Sequence, residues 1–236
     1  MKIMVINPNS SVNMTNHIRK TLGGIKRPET ELTVTCPDKG PVAIESAYDE
    51  TLAAFYCMDL VKKANMENYD AVIIACFADP GLVAMKEISD ILVVGIQETS
   101  LHVASMMGNK FTILTLMKKR IPSKYNDVWR NKLSNNLASV RELGMTVTET
   151  DEKPDLAQKR IMEVAKQAVE EDGAEVIILG CAGMVGYAEK VAKELNIVVI
   201  DPTSVAFKYV EAMIEAGIKQ SKRALYAHPS EKEYKV

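Results

Sequence analysis

Residues 71–81 read AVIIACFADPG, and residues 175–186 read EVIILGCAGMVG. Each is an apolar run with the length and branching of a strand buried on both faces. Each closes with a cysteine followed by small, turn-forming residues. Cys76 and Cys181 lie 105 positions apart, and at that offset, without gaps, Asp70 matches Glu175, Gly81 matches Gly186, and Val93-Val94 matches Val198-Val199. A second buried strand, ILVVG or NIVVI, is therefore expected after each cysteine at the same distance. The frame reads as an internal duplication that sets two thiols face to face.

Outward from these stretches the chain alternates strands and helices. KIMVI (2–6) is a first strand, and NPNSS leads into a helix, VNMTNHIRKTL. That turn places Asn7, Asn9, Ser10 and Ser11 at the carboxyl end of a sheet, where open α/β folds bind ligands. Ser11 by itself reads as a helix cap. ELTVTC (31–36) is a strand, and a helix from about Ala47 to Asn65 carries Cys57 as a small hydrophobe. Cys36 reads as core or loop packing. Asp79-Pro80 starts a helix, with Asp as N-cap and Pro at the first helical position. GIQETSLHVASMM is a helix that crosses into the second half. There FTILTL (111–116) matches the first strand, a polar helix spans 121–142 with Trp129, and MTVTE is a strand. Helices over 155–171 and 203–218 complete the repeat, and the polar tail from Ser221 onward reads as loosely held.

The alternation predicts mostly parallel sheets with right-handed crossovers. The expected fold is α/β, with two pseudo-symmetric lobes, each a small mostly parallel sheet flanked by helices, and an active site in the cleft between them. Residues 1–98 and 208–236 form the first lobe, and 99–207 the second.

Composition narrows the function. In 236 residues, 29 basic side chains face 31 acidic ones, giving a net charge of −2 with no basic patch for nucleic acid. No apolar run approaches the roughly 18 to 20 residues of a membrane span. The N-terminus reads as a strand rather than a signal peptide, so the expected location is cytoplasmic. Four cysteines are too few for a disulfide framework. With no CxxC, and no histidine near a cysteine, a zinc site is not expected. No phosphate loop or dinucleotide fingerprint occurs. The partner these features leave is a small-molecule substrate.

A cysteine between a buried strand and a helix sits where unpaired backbone N–H groups point, a field that favours thiolate over thiol. One such thiolate is a nucleophile or a base. Two related by a pseudo-twofold axis suit a symmetric task, such as moving a proton from one face of a carbon to the other. Backbone N–H donors of the adjoining turns would hold the intermediate enolate. Such chemistry needs neither metal nor organic cofactor. A lone strand-end cysteine is more often an inert small residue; the matched pair changes that reading.

NPNSS with MT shortly after it, IES followed by DE, CFADPG, and GCAGM followed by VIDP together resemble the hydantoin racemase family, which includes allantoin racemases and belongs to the aspartate/glutamate racemase superfamily. The similarity runs from Asn7 to about Asp201. It implies two pseudo-symmetric α/β lobes and cofactor-independent racemisation at C5 of a 5-substituted hydantoin, with Cys76 and Cys181 as the acid/base pair. It also implies a homo-oligomer. Amino-acid racemases of the superfamily typically follow the first cysteine with Asn-Thr and the second with Thr. Here Phe77-Ala78 and Ala182-Gly183 stand there, which suits a neutral ring better than a zwitterion.

The expected substrate shell is Asn9, Ser10 and Phe77, with backbone at Ala78, Ala182 and Gly183. Ile44 joins it from the second loop, and Thr115 as the second-lobe counterpart of Ser10 at the 105 offset. Alternatives are another cysteine-dependent enzyme of the superfamily (a maleate-type cis–trans isomerase or an amino-acid racemase) and a two-lobed binding protein without chemistry.

Overall fold

The computed structural model describes residues 1–233. The first half of the chain runs β1 (Lys2–Ile6), α1 (Val12–Ile25), β2 (Glu31–Thr35), α2 (Ala47–Met66), β3 (Ala71–Ile74), α3 (Leu82–Glu87), β4 (Leu92–Gly95) and α4 (Ile96–Met107). The second runs β5 (Phe111–Thr115), α5 (Ile121–Arg130), β6 (Leu137–Glu142), α6 (Val147–Glu152), α7 (Pro154–Asp172), β7 (Val176–Leu179), α8 (Ala188–Leu195), β8 (Val198–Ile200) and α9 (Pro202–Glu215). The strands form two parallel four-stranded sheets, ordered β2-β1-β3-β4 and β6-β5-β7-β8. This is the expected α/β architecture of two similar lobes. Among the described residues no helix is long and apolar enough to cross a membrane.

The central strands β3 and β7 are buried along their whole length, as branched residues covered on both sheet faces should be. The duplication extends to hydrogen bonds. Asp70 N–H donates to Lys2 O at 2.8 Å and Glu175 N–H to Lys110 O at 2.9 Å. Both acidic side chains also accept a backbone N–H at the mouth of the central strand, Asp70 from Lys2 and Glu175 from Asn109. Gly81 and Gly186 both hold positive φ, 70° and 92°, which a side chain would strain.

The sheet register refines the frame. β3 and β7 superpose at the 105 offset, but Ile3 pairs with Ala71 where Phe111 pairs with Val176, an offset of 108. Thr115 is therefore the counterpart of Asn7 rather than of Ser10. Val94 pairs with Ile73 where Ile200 pairs with Ile178, an offset of 106 that makes Asp201 the counterpart of Gly95. The second strand of that pair is also less buried than expected: β8 lies at the sheet edge, and its Val198 is exposed.

Three other local expectations are corrected. The polar helix ends at Arg130, and LASVRE is the edge strand β6. MTVTE is no strand: Thr146 caps α6, its hydroxyl accepting from Glu149 N while the Glu149 carboxylate accepts from Thr146 N. Asp79 does not cap the helix beside it, because Gly81 holds that position. Its carboxylate instead accepts from Gln97 N at 3.0 Å and Glu98 N at 2.8 Å, capping α4 from across the sheet edge.

Helix α4 packs on β4 and also on β7 and β8, while α9 packs against α4, α1, β3 and β4. Helix α4 thus bridges the two sheets, and α9, which follows β8, docks back on the first. Glu211 on α9 is fully buried and ties that helix to the α1–β2 loop by accepting from Arg27 N and Thr30 Oγ1. The tail is held more firmly than expected. Lys222 Nζ donates to the carbonyls of Lys86, Glu87 and Ser89 at the end of α3, and His228 pairs with Asp90. The last three residues of that tail lie outside the described residues.

Candidate active site

The carboxyl ends of β3 and β7 carry Cys76 and Cys181 into turns that meet at one cavity between the sheets. Phe77, Ala78, Thr115, Ile44 and Cys181, all expected at the site, line it. Glu45, Arg120, Lys124 and Val147 line it too and were not expected. Cys76 is partly buried beside Phe77.

The remaining expected residues are placed differently. Asn9 is buried, and its amide is engaged within its own turn: Oδ1 accepts from Asn7 Nδ2 at 2.7 Å and Ser11 N at 2.9 Å, and Nδ2 faces Met14 Sδ. Ser10 donates its hydroxyl to Gly40 O. Ser11 caps α1 as expected, its Oγ accepting from Met14 N. Ala182 and Gly183 form the tight turn after Cys181 and are buried. A Cβ on Gly183 would lie 3.0 Å from Thr150 Oγ1, 3.3 Å from Met14 Cε and 3.5 Å from Cys181 Sγ. Residues of α1 and α6 thus pack against the turn that follows the second cysteine. Cys57 is fully buried, as expected of a small hydrophobe.

Electrostatics at the two thiols depart from the expectation of simple activation. Burial pushes the Cys76 thiol up to about 12, Cys181 adds to this, and the ammonium of Lys124 opposes it. Burial pushes Cys181 up to about 11, opposed by hydrogen bonds from the backbone of Gly183 and Met184; Gly183 N–H stands 3.3 Å from Cys181 Sγ. The turn's N–H groups favour the thiolate, but desolvation by burial outweighs them.

Lys124, Arg120 and Glu45 are the residues that sequence reasoning missed. Lys124 is only 2% exposed. Its Nζ donates to Phe77 O and to Asp127 Oδ2 at 2.9 Å. Gln97 Nε2 reaches the same two acceptors at 2.9 and 3.0 Å. Its signal lay in the helix period: Lys124 falls between Ile121 and Val128 on the apolar face of α5. Arg120 pairs with Glu50, and Glu45 Oε1 accepts from Val147 N at 2.9 Å, so two contacts span the sheets at the mouth of the cavity.

Comparison with known proteins gives the site a context. The sequence model of the family described as Asp/Glu/Hydantoin racemase matches residues 3–210. A hydantoin racemase of Paenarthrobacter aurescens is 38% identical over 99% of this chain and 100% of its own. Solved structures of allantoin racemases from Klebsiella pneumoniae and Pseudomonas fluorescens are 32% and 31% identical, with TM-scores of 0.96 and 0.95. Each covers 100% of this chain, which spans 96% and 100% of theirs.

Proposed function

Because the chain belongs to the Asp/Glu/hydantoin racemase family and is a racemase, we propose that it interconverts the enantiomers of 5-substituted hydantoins, allantoin among them. Cys76 and Cys181 act as alternating base and acid at C5. The observation that carries this reading is that the turns at the two duplicated cysteines meet at one cavity between the sheets, Phe77 and Ala78 lining it beside Cys76, and Gly180 lining it together with Cys181 itself.

The proton balance is simple. One thiolate takes the C5 proton and becomes a thiol, leaving an enolate delocalised into the ring. The opposite thiol gives its proton to the other face and becomes a thiolate. The pair then stands in the protonation state that accepts the mirror-image substrate, or resets through solvent. Two features favour a hydantoin over an amino acid. Its C5 proton is more acidic than an amino acid's α-proton, which suits thiols that burial makes weakly acidic. Charged side chains at the cavity already have partners: Arg120 has Glu50, Lys124 has Asp127, and Glu45 holds Val147 N–H. A neutral ring offering amide N–H and C=O groups needs no free charge, whereas a zwitterion needs two.

The test is polarimetry on single enantiomers of a panel of 5-substituted hydantoins, with allantoin, glutamate and aspartate included. Loss of rotation confined to hydantoins is expected. Racemisation of an amino acid, with every hydantoin keeping its rotation, overturns the substrate class. The active form is taken to be a homo-oligomer, to which the exposed Tyr48 and Phe55 of α2 are suited; light scattering on the active fraction checks this.

A further inference from the structure

We propose that Lys124 is a positioning residue for Cys76: an ammonium supplied by the second lobe holds the first lobe's thiolate in place and in its charged form, while Cys181 relies on backbone N–H groups. The inference rests on Cys76 being one of the acid/base pair.

The geometry around Lys124 is more than a buried ion pair requires. Removing an ammonium from water costs several kcal/mol unless it is fully satisfied, and an apolar residue at this position of α5 would join Val128 without that cost. Instead the Lys124 ammonium contacts Asp127 and, across the cleft, the carbonyl of Phe77, the residue that follows Cys76. Gln97 from α4 donates to the same carbonyl and the same carboxylate, closing a ring of four groups around the first catalytic turn. The ammonium also stands 5.3 Å from the centre of the Phe77 ring, and the side chain borders the cavity. Phe77 is thereby fixed from both its backbone and its ring.

The charges facing Cys76 come from several elements. Lys124 on α5 favours its thiolate, whereas Cys181, Glu50 on α2 and Asp79 in its own turn disfavour it. Asp127 offsets part of the lysine's charge. At Cys181 the favourable influence is the Gly183 and Met184 backbone, opposed by Asp151 and Glu45. The duplicated cysteines are therefore stabilised by unlike means, and a change at Lys124 acts on only one of them.

The test reads each thiolate separately and needs no substrate. The full-length protein, as wild type, K124M, K124Q and K124R, is treated with iodoacetamide from about pH 6 to about pH 10, and each cysteine-bearing peptide is quantified by mass spectrometry. K124M is expected to slow alkylation of Cys76 on the order of tenfold near pH 8 and to move its pH profile upward, the effect of about one pKa unit. Cys181 should keep its wild-type profile, and K124R should restore most of the Cys76 rate. Buried Cys57 reports whether the fold is intact. If K124M exposes it, K124Q, which keeps a donor toward Phe77 O without the charge, replaces it with the same expected result. An unchanged Cys76 profile with Cys57 protected, or equal slowing at Cys76 and Cys181, overturns the proposal. A wild-type protein that racemises no hydantoin overturns the proposed function instead and leaves this test standing.

Discussion

The carboxylate of Asp79 occupies the space that a side chain on Gly95 would fill: a Cβ at position 95 would stand 2.2 Å from Asp79 Cγ. In the second sheet the register counterpart of Gly95 is Asp201, which caps its own helix, α9, and also accepts Gly186 N–H at 2.9 Å. Both halves thus place one carboxylate between the turn after the strand-end cysteine and the helix that follows the next strand. The first half supplies it from the turn, and the second from the helix cap.

Gly95→Ala should therefore destabilise the protein by about 1 to 3 kcal/mol, the usual cost of overpacking. Its φ of −97° suits any residue, so the loss comes from collision, with the Asp79 carboxylate nearest. In an Asp79→Ala background the same substitution should cost much less. Urea denaturation of the four variants checks this, and equal costs in both backgrounds would contradict it.

Burial, with Glu98 adding to it, pushes Asp79 up to about 7 from its ordinary 3.8. A carboxyl whose folded pKa lies above its unfolded one contributes stability that is present below the unfolded value and lost as pH rises through the folded value. The stability difference between wild type and Asp79→Ala should thus shrink, in the wild type's disfavour, from about pH 4 to about pH 8. A difference constant over that range would show the carboxyl to be ionised throughout.

The contacts at the cavity mouth act together. Arg120→Ala and Glu50→Ala should each lower kcat/KM for a hydantoin by roughly 10- to 100-fold through loss of cleft geometry, and the double variant should cost no more than the worse single one. Additive losses in steady-state kinetics would mean that the two side chains serve separate purposes.

The frame of the candidate site was legible because the two central strands are short, branched and buried on both faces, and their cysteines share an offset. Register was not legible in the same way. Val93-Val94 and Val198-Val199 are interchangeable letters, and only hydrogen bonding shows the slip of one residue that brings Asp201 opposite Gly95. Strand β6 was missed because only Val140 of its six residues is buried. The Thr146–Glu149 capping box was readable and marked a helix where alternation suggested a strand. Lys124 and Asp79 were hidden for a common reason: each acts on an element far along the chain, Lys124 on the turn at Phe77 and Asp79 on α4. No local pattern records such partners.

The most direct test of the two-base account follows one hydantoin enantiomer in heavy water with the wild type, Cys76→Ser and Cys181→Ser, recording optical rotation and deuterium at C5 together. The account predicts that the wild type loses rotation as deuterium enters, and that each substitution slows racemisation by about 10²- to 10⁴-fold, the usual worth of a positioned acid or base. Racemisation at the wild-type rate in either variant, or loss of rotation without deuterium, would contradict it.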